Sequence, residues 1–302
     1  MSSDDVCILI PTLNEEEAIG DVVGEFIATG FHKVLVIDGH STDDTVSIAR
    51  DARARVVTQR GIGKGQALKE AFGLIEEDYI VLIDGDGTYL PGEVGRLLDP
   101  LRRDEADHVV GNRFANTRSG AFRRVNMFGN KLINLLFGFV YGAPLKDILS
   151  GYRAFTRKGI ERLDLSMHGF EIESEMTIES VKKGLRIIEV PITYQPRAAG
   201  TKTKLNPFRD GIRIVITIYK MAKTQNPVFY FGLIGLLFGA AGFILGLYVV
   251  KDWLNGRIEH IPLTILTAIL IIVGFQLFLM GILGDLMTSM HREILRELYR
   301  KK

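Results

Sequence analysis

Two long uncharged apolar runs constrain this chain more than any other feature. Residues 228–250 and 261–284 contain no Asp, Glu, Lys or Arg. Each exceeds the ~20 residues that carry a helix across a bilayer. Two such spans joined by a short loop make a hairpin, with both chain ends on one side. Arg209, Arg213, Lys220 and Lys223 precede the first run, and Arg292, Arg296, Arg300, Lys301 and Lys302 follow the second. The loop at 251–260 carries only Lys251 and Arg257. The positive-inside rule therefore predicts a two-span protein of the cell membrane with both ends cytoplasmic. The start, Met-Ser-Ser-Asp-Asp, lacks the basic and apolar parts of a signal segment, so residues 1–205 are expected to stay cytoplasmic. The expected organisation is a globular part at 1–205, a juxtamembrane helix at 206–226, spans at 227–250 and 261–285, and a basic tail at 286–302.

The globular part alternates short apolar runs with helix-like stretches. Val6–Ile10, Val34–Ile37, Val56–Thr58, Tyr79–Ile83 and the short His108–Val110 read as strands. Periodic segments lie between them, near 15–29, 43–52, 64–76 and 92–103. This βαβα order predicts an α/β fold with a mainly parallel, Rossmann-like sheet and helices on both faces. With 37 basic and 36 acidic residues there is no basic excess for a nucleic-acid partner. The lone Cys7 excludes an internal disulfide and a multi-thiolate zinc site.

Ligands of such sheets sit at the carboxyl ends of strands, and there the sequence turns polar. The first strand leads into Pro11-Thr12-Leu13-Asn14-Glu15, the second into Asp38-Gly39-His40-Ser41, the fourth into Asp84-Gly85-Asp86. Two carboxylates at a buried strand end are costly unless paired or metal-bound. Acids of this kind suit Mg²⁺ or Mn²⁺, with phosphate oxygens completing the shell. Gly63-Lys64-Gly65 opens a helix and is neither a Walker A loop nor a dinucleotide fingerprint; a lysine between glycines at a helix start can hold an anion. Glu171, Glu173 and Glu175 read as the solvated acidic start of a helix. His40 and His168 read as structural.

Two further stretches are amphipathic. In 120–141, Phe122, Val125, Phe128, Leu132, Leu136 and Phe139 recur at helical spacing; in 207–223, Phe208, Ile212, Val215 and Tyr219 do the same. Both fit helices at a membrane interface or on a domain surface. Gly235, Gly239, Gly242 and Gly246 form a small-residue stripe in the first span. It suits packing within the hairpin or against another subunit, so a homo-oligomer stays open.

As a set, these motifs carry a resemblance covering about 1–225. Pro11-Thr12-Leu13-Asn14-Glu15, Asp38 with Ser41-Thr42-Asp43, Gly63-Lys64-Gly65 and Asp84-x-Asp86 stand in the order and spacing of family 2 glycosyltransferases with the GT-A fold. Val110-Gly111-Asn112-Arg113, Ser150-Gly151-Tyr152-Arg153-Ala154-Phe155, Phe170-Glu171-Ile172-Glu173 and Arg197-x-x-Gly-x-Lys202 resemble the polyprenyl-phosphate (dolichyl-phosphate) branch. The resemblance implies transfer of a sugar from a UDP- or GDP-linked donor to dolichyl or polyprenyl phosphate, for glycan assembly such as protein N-glycosylation. It implies that Pro11, Leu13, Glu15 and Asp38 line the nucleoside pocket, with Lys64 also on the donor side. Asp84, Gly85 and Asp86 would sit at the ribose and metal-bridged diphosphate, with Asp86 the principal ligand. Mannosyl-transferring members read Asp-Ala-Asp-Leu-Gln there, and Thr88 stands in place of the metal-assisting Gln; it joins Asp84 and Asp86 in the metal set by position. Where the family reads Asp-Asp-Gly-Ser, this chain has Asp38-Gly39-His40-Ser41. Arg197 and Lys202 would close over the donor phosphates. Arg113 with Arg123 or Arg124 would meet the lipid phosphate, and Ser150 and Arg153 would support that side.

A lipid phosphate needs no strong base, because its second pKa near ~6 leaves it ionised at neutral pH. It needs cations. Residues 196–223 hold seven Lys and Arg against the single Asp210, which fits an anion-binding flap hinged at Gly200. Two alternatives use the same sequence. A processive polysaccharide synthase would need more spans and a Gln-x-x-Arg-Trp signature, whereas the one tryptophan, Trp253, lies between the spans. A non-catalytic membrane scaffold would have no use for Asp84, Asp86, Arg113 and Arg153 together.

Overall fold

A computed structural model describes residues 3–118, 124–167, 169, 171–197, 207–256 and 261–300. The chain forms two compact units, Met1–Ile218 and Tyr219–Lys302. In chain order the first carries β1 (Val6–Thr12), α1 (Ile19–Ala28), β2 (Val34–Asp38), α2 (Thr45–Asp51), β3 (Arg55–Thr58), α3 (Lys64–Phe72), β4 (Tyr79–Leu82) and α4 (Val94–Arg102). It continues with β5 (His108–Thr117), α5 (Arg124–Tyr141), β6 (Arg153–Thr156), α6 (Arg157–Ile160), α7 (Ile172–Lys182) and β7 (Ile187–Tyr194). Helix α8 (Pro207–Gln225) spans the division, and α9 (Pro227–Leu254) and α10 (Ile261–Arg300) make up the rest of the second unit.

The sheet has seven strands in the order β3-β2-β1-β4-β6-β5-β7. β1 pairs in parallel with β2 and β4, β2 with β3, and β5 with β7, while β6 runs antiparallel between β4 and β5. The expected mainly parallel sheet is present. Side chains alternate across it, as the period of two requires. Val6, Ile8 and Ile10 pack with α1 and α4 on one face; Cys7 and Leu9 pack with α3 and α7 on the other.

Three strands differ from the sequence reading. β5 runs on to Thr117, where its polar Asn112 and Arg113 hide the strand pattern. β6 and β7 were not anticipated. Pro191 interrupts the pattern of β7, and it is tolerated because β7 is the edge strand, where one missing N–H costs no ladder bond on the outer side.

Helix α5 buries Ile133, Phe137 and Val140, while Phe128, Leu132, Leu135 and Phe139 stay exposed. The stripe recognised in sequence is thus largely its outward face. Helix α8 behaves alike. Ile214 and Ile218 are buried, Ile212, Val215 and Ile216 are exposed, and the Tyr141 hydroxyl donates to Ile218 O at 2.8 Å. The sheet unit therefore extends past the expected limit at residue 205 into α8.

In the second unit, spans Pro227–Leu254 and Ile261–Met290 have mean hydropathies of 2.4 and 2.6 with only 11% and 17% of those windows buried. Core helices of a soluble protein would be mostly covered, so these fit membrane association. Helix α10 continues to Arg300, so the stretch expected as a basic tail is helical as far as that residue. The glycine stripe packs inside the hairpin. A Cβ at Gly235 would lie 2.6 Å from Gly274 O, and one at Gly242 would lie 2.8 Å from the Ile271 side chain. A Cβ on Gly274 would meet Gly235 O at 2.7 Å and Gly239 N at 2.8 Å. Gly274→Leu should therefore push the two helices apart and cost about 1–3 kcal/mol by overpacking. A lowered melting temperature of the detergent-purified full chain is the expected result.

Candidate active site at the carboxyl ends of the strands

The parallel strands β1, β2 and β4 end on one side of the sheet, and their loops meet there. Asp38 is buried and spends its carboxylate on its own loop, accepting His40 N at 3.1 Å and Ser41 N at 3.2 Å. Ser41 Oγ accepts Asn14 N at 2.8 Å, and Asn14 Oδ1 accepts Thr42 N at 2.8 Å. These bonds stitch the first two loops together. Leu13 is left exposed and Pro11 half-buried on the shelf so formed. Gly39 fits because a Cβ there would come within 3.1 Å of Thr12 O.

The Asp84-Gly85-Asp86 turn sits beside that shelf. A Cβ at Gly85 would lie 2.8 Å from Thr12 Cγ2, and Gly87 has φ +69°, so both glycines are required. The two aspartates face different partners. Lys64 Nζ lies 2.5 Å from Asp84 Oδ1 and 2.5 Å from Glu173 Oε1. Burial works against the Lys64 charge, but the Asp84 and Glu173 carboxylates outweigh it and hold the ammonium above the ordinary lysine range. Lys64 is thus already matched by two carboxylates. The other Asp84 oxygen lies over Gly151, where a Cβ would come within 2.3 Å of it.

Asp86 is buried, whereas Asp84 is half-buried. Its Oδ1 accepts Thr88 N at 3.0 Å and Thr88 Oγ1 at 2.6 Å, and its Oδ2 accepts the Arg197 Nη2 donor. Arg197 Nη1 lies 4.0 Å from Glu15 Oε1. Burial opposes the Arg197 charge, yet Asp86 and Glu15 raise its pKa above the usual arginine value. Arg197 is delivered by the end of β7: Gln195 N donates to Thr88 O at 3.0 Å and Gln195 Nε2 to Gly87 O at 2.8 Å. Thr88 spends its hydroxyl on orienting Asp86. Among the described residues, no group of three His, Cys, Asp or Glu side chains is placed to hold a metal.

On the far side, Arg113 and Asp147 form a buried bidentate pair, with Nε to Oδ2 at 2.8 Å and Nη2 to Oδ1 at 2.7 Å. Burial lowers and Asp147 raises the Arg113 pKa, and Asp147 wins. The guanidinium lies 5.4 Å from the Tyr194 ring centroid. Glu189 on β7 accepts Lys146 N at 2.8 Å and Asp147 N at 2.8 Å, which fixes that loop. Arg153 has no exposed surface. It donates to Ser150 O at 2.7 Å, Ile148 O at 2.5 Å and Thr177 Oγ1 at 2.7 Å, holding the Ser150 loop from beneath. Burial takes its pKa down to about 10, against the pull of Glu173, and it stays cationic at neutral pH. His108 beside it is pushed well below the usual histidine range by burial and by Arg153.

Asp147, Glu189 and Tyr194 carry no sequence signal of their own, since nothing near them in the chain shows what they meet. The glutamates of α7 are a correction. Glu173 and Glu175 are buried, not solvated; Glu175 accepts Ser166 N at 2.9 Å, Ser166 Oγ at 2.6 Å and Met167 N at 2.9 Å. Lys202, Arg123 and the Gly200 flap lie outside the described residues, as does the side chain of Arg124.

The sheet order, with one antiparallel strand in an otherwise parallel sheet and an acidic turn at its carboxyl edge, is that of an α/β fold with GT-A-like neighbours. A solved structure of glucosyl-3-phosphoglycerate synthase from Mycobacterium tuberculosis, in complex with Mn²⁺ and UDP-glucose, superposes with a TM-score of 0.60 at 25% identity, covering 72% of this chain and 78% of that one. The chain belongs to glycosyl transferase family 2, whose model matches residues 7–164. It is 47% identical to glycosyltransferase AglJ of Haloferax volcanii over 98% of this chain and 97% of that protein. It is 34% identical to a dolichyl-phosphate hexose transferase of the same organism, over 74% of this chain and 96% of that protein.

Asp147→Ala strips the buried Arg113 of its counter-charge. The expected loss is about 3–5 kcal/mol, the usual cost of breaking a buried pair from one side. It is read as a lower midpoint in chemical denaturation of the full chain.

Proposed function

We propose that this family 2 transferase moves a sugar from a UDP- or GDP-linked donor to a polyprenyl (dolichyl) phosphate at the membrane, supplying lipid-linked sugar for glycan assembly such as protein N-glycosylation. The observation that carries the reading is the oriented Asp86 carboxylate. Thr88 saturates one oxygen, and the other faces a cationic partner beside the donor shelf. Support comes from the relatives, among them a dolichyl-phosphate hexose transferase and a polyprenol monophosphomannose synthase of Mycolicibacterium smegmatis.

In this reading Pro11, Leu13, Glu15 and Asp38 form the nucleoside side. A single carboxylate oxygen of fixed direction fits Mg²⁺ or Mn²⁺, ions that share their shell with substrate phosphates. Asp86 would hold the ion, which when bound offsets the charge of the leaving diphosphate. Arg197 would close over the same phosphates, and its buried Nη1 has no hydrogen-bond partner among the described residues. An oxygen of the lipid phosphate attacks the anomeric carbon, and the bond to the diphosphate oxygen breaks with its electron pair leaving on the diphosphate. The sugar inverts. No general base is needed, since the attacking oxygen is already ionised. Arg113, held by Asp147 through Nε and Nη2, would meet the lipid phosphate together with Arg123 or Arg124, with Ser150 and Arg153 shaping the loop. The exposed apolar faces of α5 and α8 would rest in the cytoplasmic interface, with the spans anchoring the enzyme and both chain ends cytoplasmic.

A transfer assay with polyprenyl phosphate and UDP-glucose, UDP-N-acetylglucosamine or GDP-mannose tests this. Product should form with one donor, depend on divalent metal, and fall by about a hundredfold or more in Asp86→Ala. Absence of product with all three donors would sink the proposal. A second expectation concerns Arg197. Thr88 occupies Asp86 Oδ1, so a metal must take Oδ2 and compete with Arg197 there. Arg197→Gln should tighten Mn²⁺ binding without nucleotide by about fivefold, the worth of a ~1 kcal/mol ion pair, as read by electron paramagnetic resonance titration.

A further inference from the structure

The hairpin of α9 and α10 leaves one amide on its lipid-facing surface. The uncharged runs 228–250 and 261–284 contain a single Asn, Gln or His between them, and it is Gln276. It lies 15 residues after Ile261 and 14 before Met290, at the middle of the second span. At ~1.5 Å per residue that is about 20 Å from either end, too far for so short a side chain to reach water. Yet Gln276 is exposed. The glycine seam gives the reason. Gly274 and Gly281 pack on α9, and Gln276 stands about 200° round the helix from Gly274, on the opposite side. Among the described residues its side chain has no hydrogen-bond partner. Helix α9 has none to offer at that depth: between Val228 and Val250 its polar side chains are Tyr230 and Tyr248, near the two ends. Hydrocarbon strongly disfavours an amide whose donors and acceptor are unpaired.

The residues around Gln276 are ordered as a seam. Ile269, Ile272, Gln276, Leu279, Leu283 and Leu286 follow one another at steps of three and four in strict alternation, and all are exposed. That is the a and d pattern of paired helices, with one polar residue at an a position, the device that fixes register between them. The glycine seam is already used inside the hairpin, so this second seam of α10 faces outward. Its occupant follows from symmetry and chemistry. Two copies inserted in the same orientation present α10 in parallel, so a residue at a given depth meets itself across a two-fold axis. An amide is self-complementary, since its Nε2–H donates and its Oε1 accepts. Lipid tails supply neither group, and a different protein would need a polar side chain at the same depth, which a second copy brings by construction. The geometry points to a membrane homodimer of this chain, with α10 paired along this seam and the two Gln276 amides hydrogen-bonded to each other. The pairing is independent of which sugar the enzyme moves.

The test counts subunits in a bilayer. The full chain, carrying one fluorophore on an N-terminal tag, is reconstituted in phosphatidylcholine vesicles over a range of protein-to-lipid ratios, and photobleaching steps are counted. Wild type should give two steps at high ratio and approach one on dilution, which yields a dissociation constant. Gln276→Leu should raise that constant by about fivefold or more, the effect of losing an interhelical polar contact in lipid. Leucine suits the lipid face better than glutamine, so the hairpin itself is not put at risk. Gln276→Asn keeps an amide at the same depth and should stay within about threefold of wild type. Single cysteines then read the seam, with Cys7 left in place because it is buried in the sheet. Leu279→Cys and Leu283→Cys should cross-link two copies under mild oxidation. Ile282→Cys, about 100° round the helix from Leu283, should not. Three results would each overturn the inference: wild type that bleaches in one step at every ratio, a dissociation constant unchanged in Gln276→Leu, or cross-linking as strong at position 282 as at 283.

Discussion

Burying charge at the edge of a sheet is costly, and most of this site is the solution to that cost. Three cations are set against carboxylates around the sheet: Lys64 between Asp84 and Glu173, Arg197 on Asp86, and Arg113 on Asp147. Each pair draws its members from different elements. Lys64 comes from α3, Asp84 from the end of β4, Glu173 from α7, Arg113 from β5 and Asp147 from the loop before β6. Removing one partner leaves the other uncompensated, so the pairs hold the elements in register as well as each other.

The directional detail follows from smaller groups around those pairs. Thr88 fixes which oxygen of Asp86 faces outward, Gly151 lets Asp84 lie flat on the backbone, and Gln195 ties the end of β7 to the turn that carries both aspartates. Hydrogen bonds of this kind add modest net stability but set geometry. Arg153 does similar work out of contact with solvent, where its donors end on the carbonyls of Ile148 and Ser150.

The membrane side obeys a different rule. In α9 and α10 the apolar surface is left uncovered and the glycines face the partner helix, which is the inverse of a soluble core. In α5 and α8 one apolar face is buried and another is exposed. That double character explains why the periodicity of 120–141 gave the helix but not its orientation: Phe128 and Leu132 look like core residues by spacing, yet Ile133 and Phe137 are the ones covered.

Local signals were enough for strands β1 to β4, the helices between them, both apolar spans and the aspartate turn, because each depends on a short-range pattern of hydrophobicity or glycine. Membership in the transferase family was legible for the same reason, since its motifs are short and ordered. What the sequence could not state is which charges meet. Glu173 read as a solvated helix start because acids favour that position in isolation; packing of α7 against the sheet buried it beside Lys64, more than a hundred residues earlier in the chain. Asp147, Glu189 and Tyr194 were silent for the same reason. The sequence by itself determined the fold class, the two long apolar spans and the position of the acidic strand-end turn; only the tertiary structure decided the partner of each buried charge, because pairing is set by distance in space and not by separation along the chain.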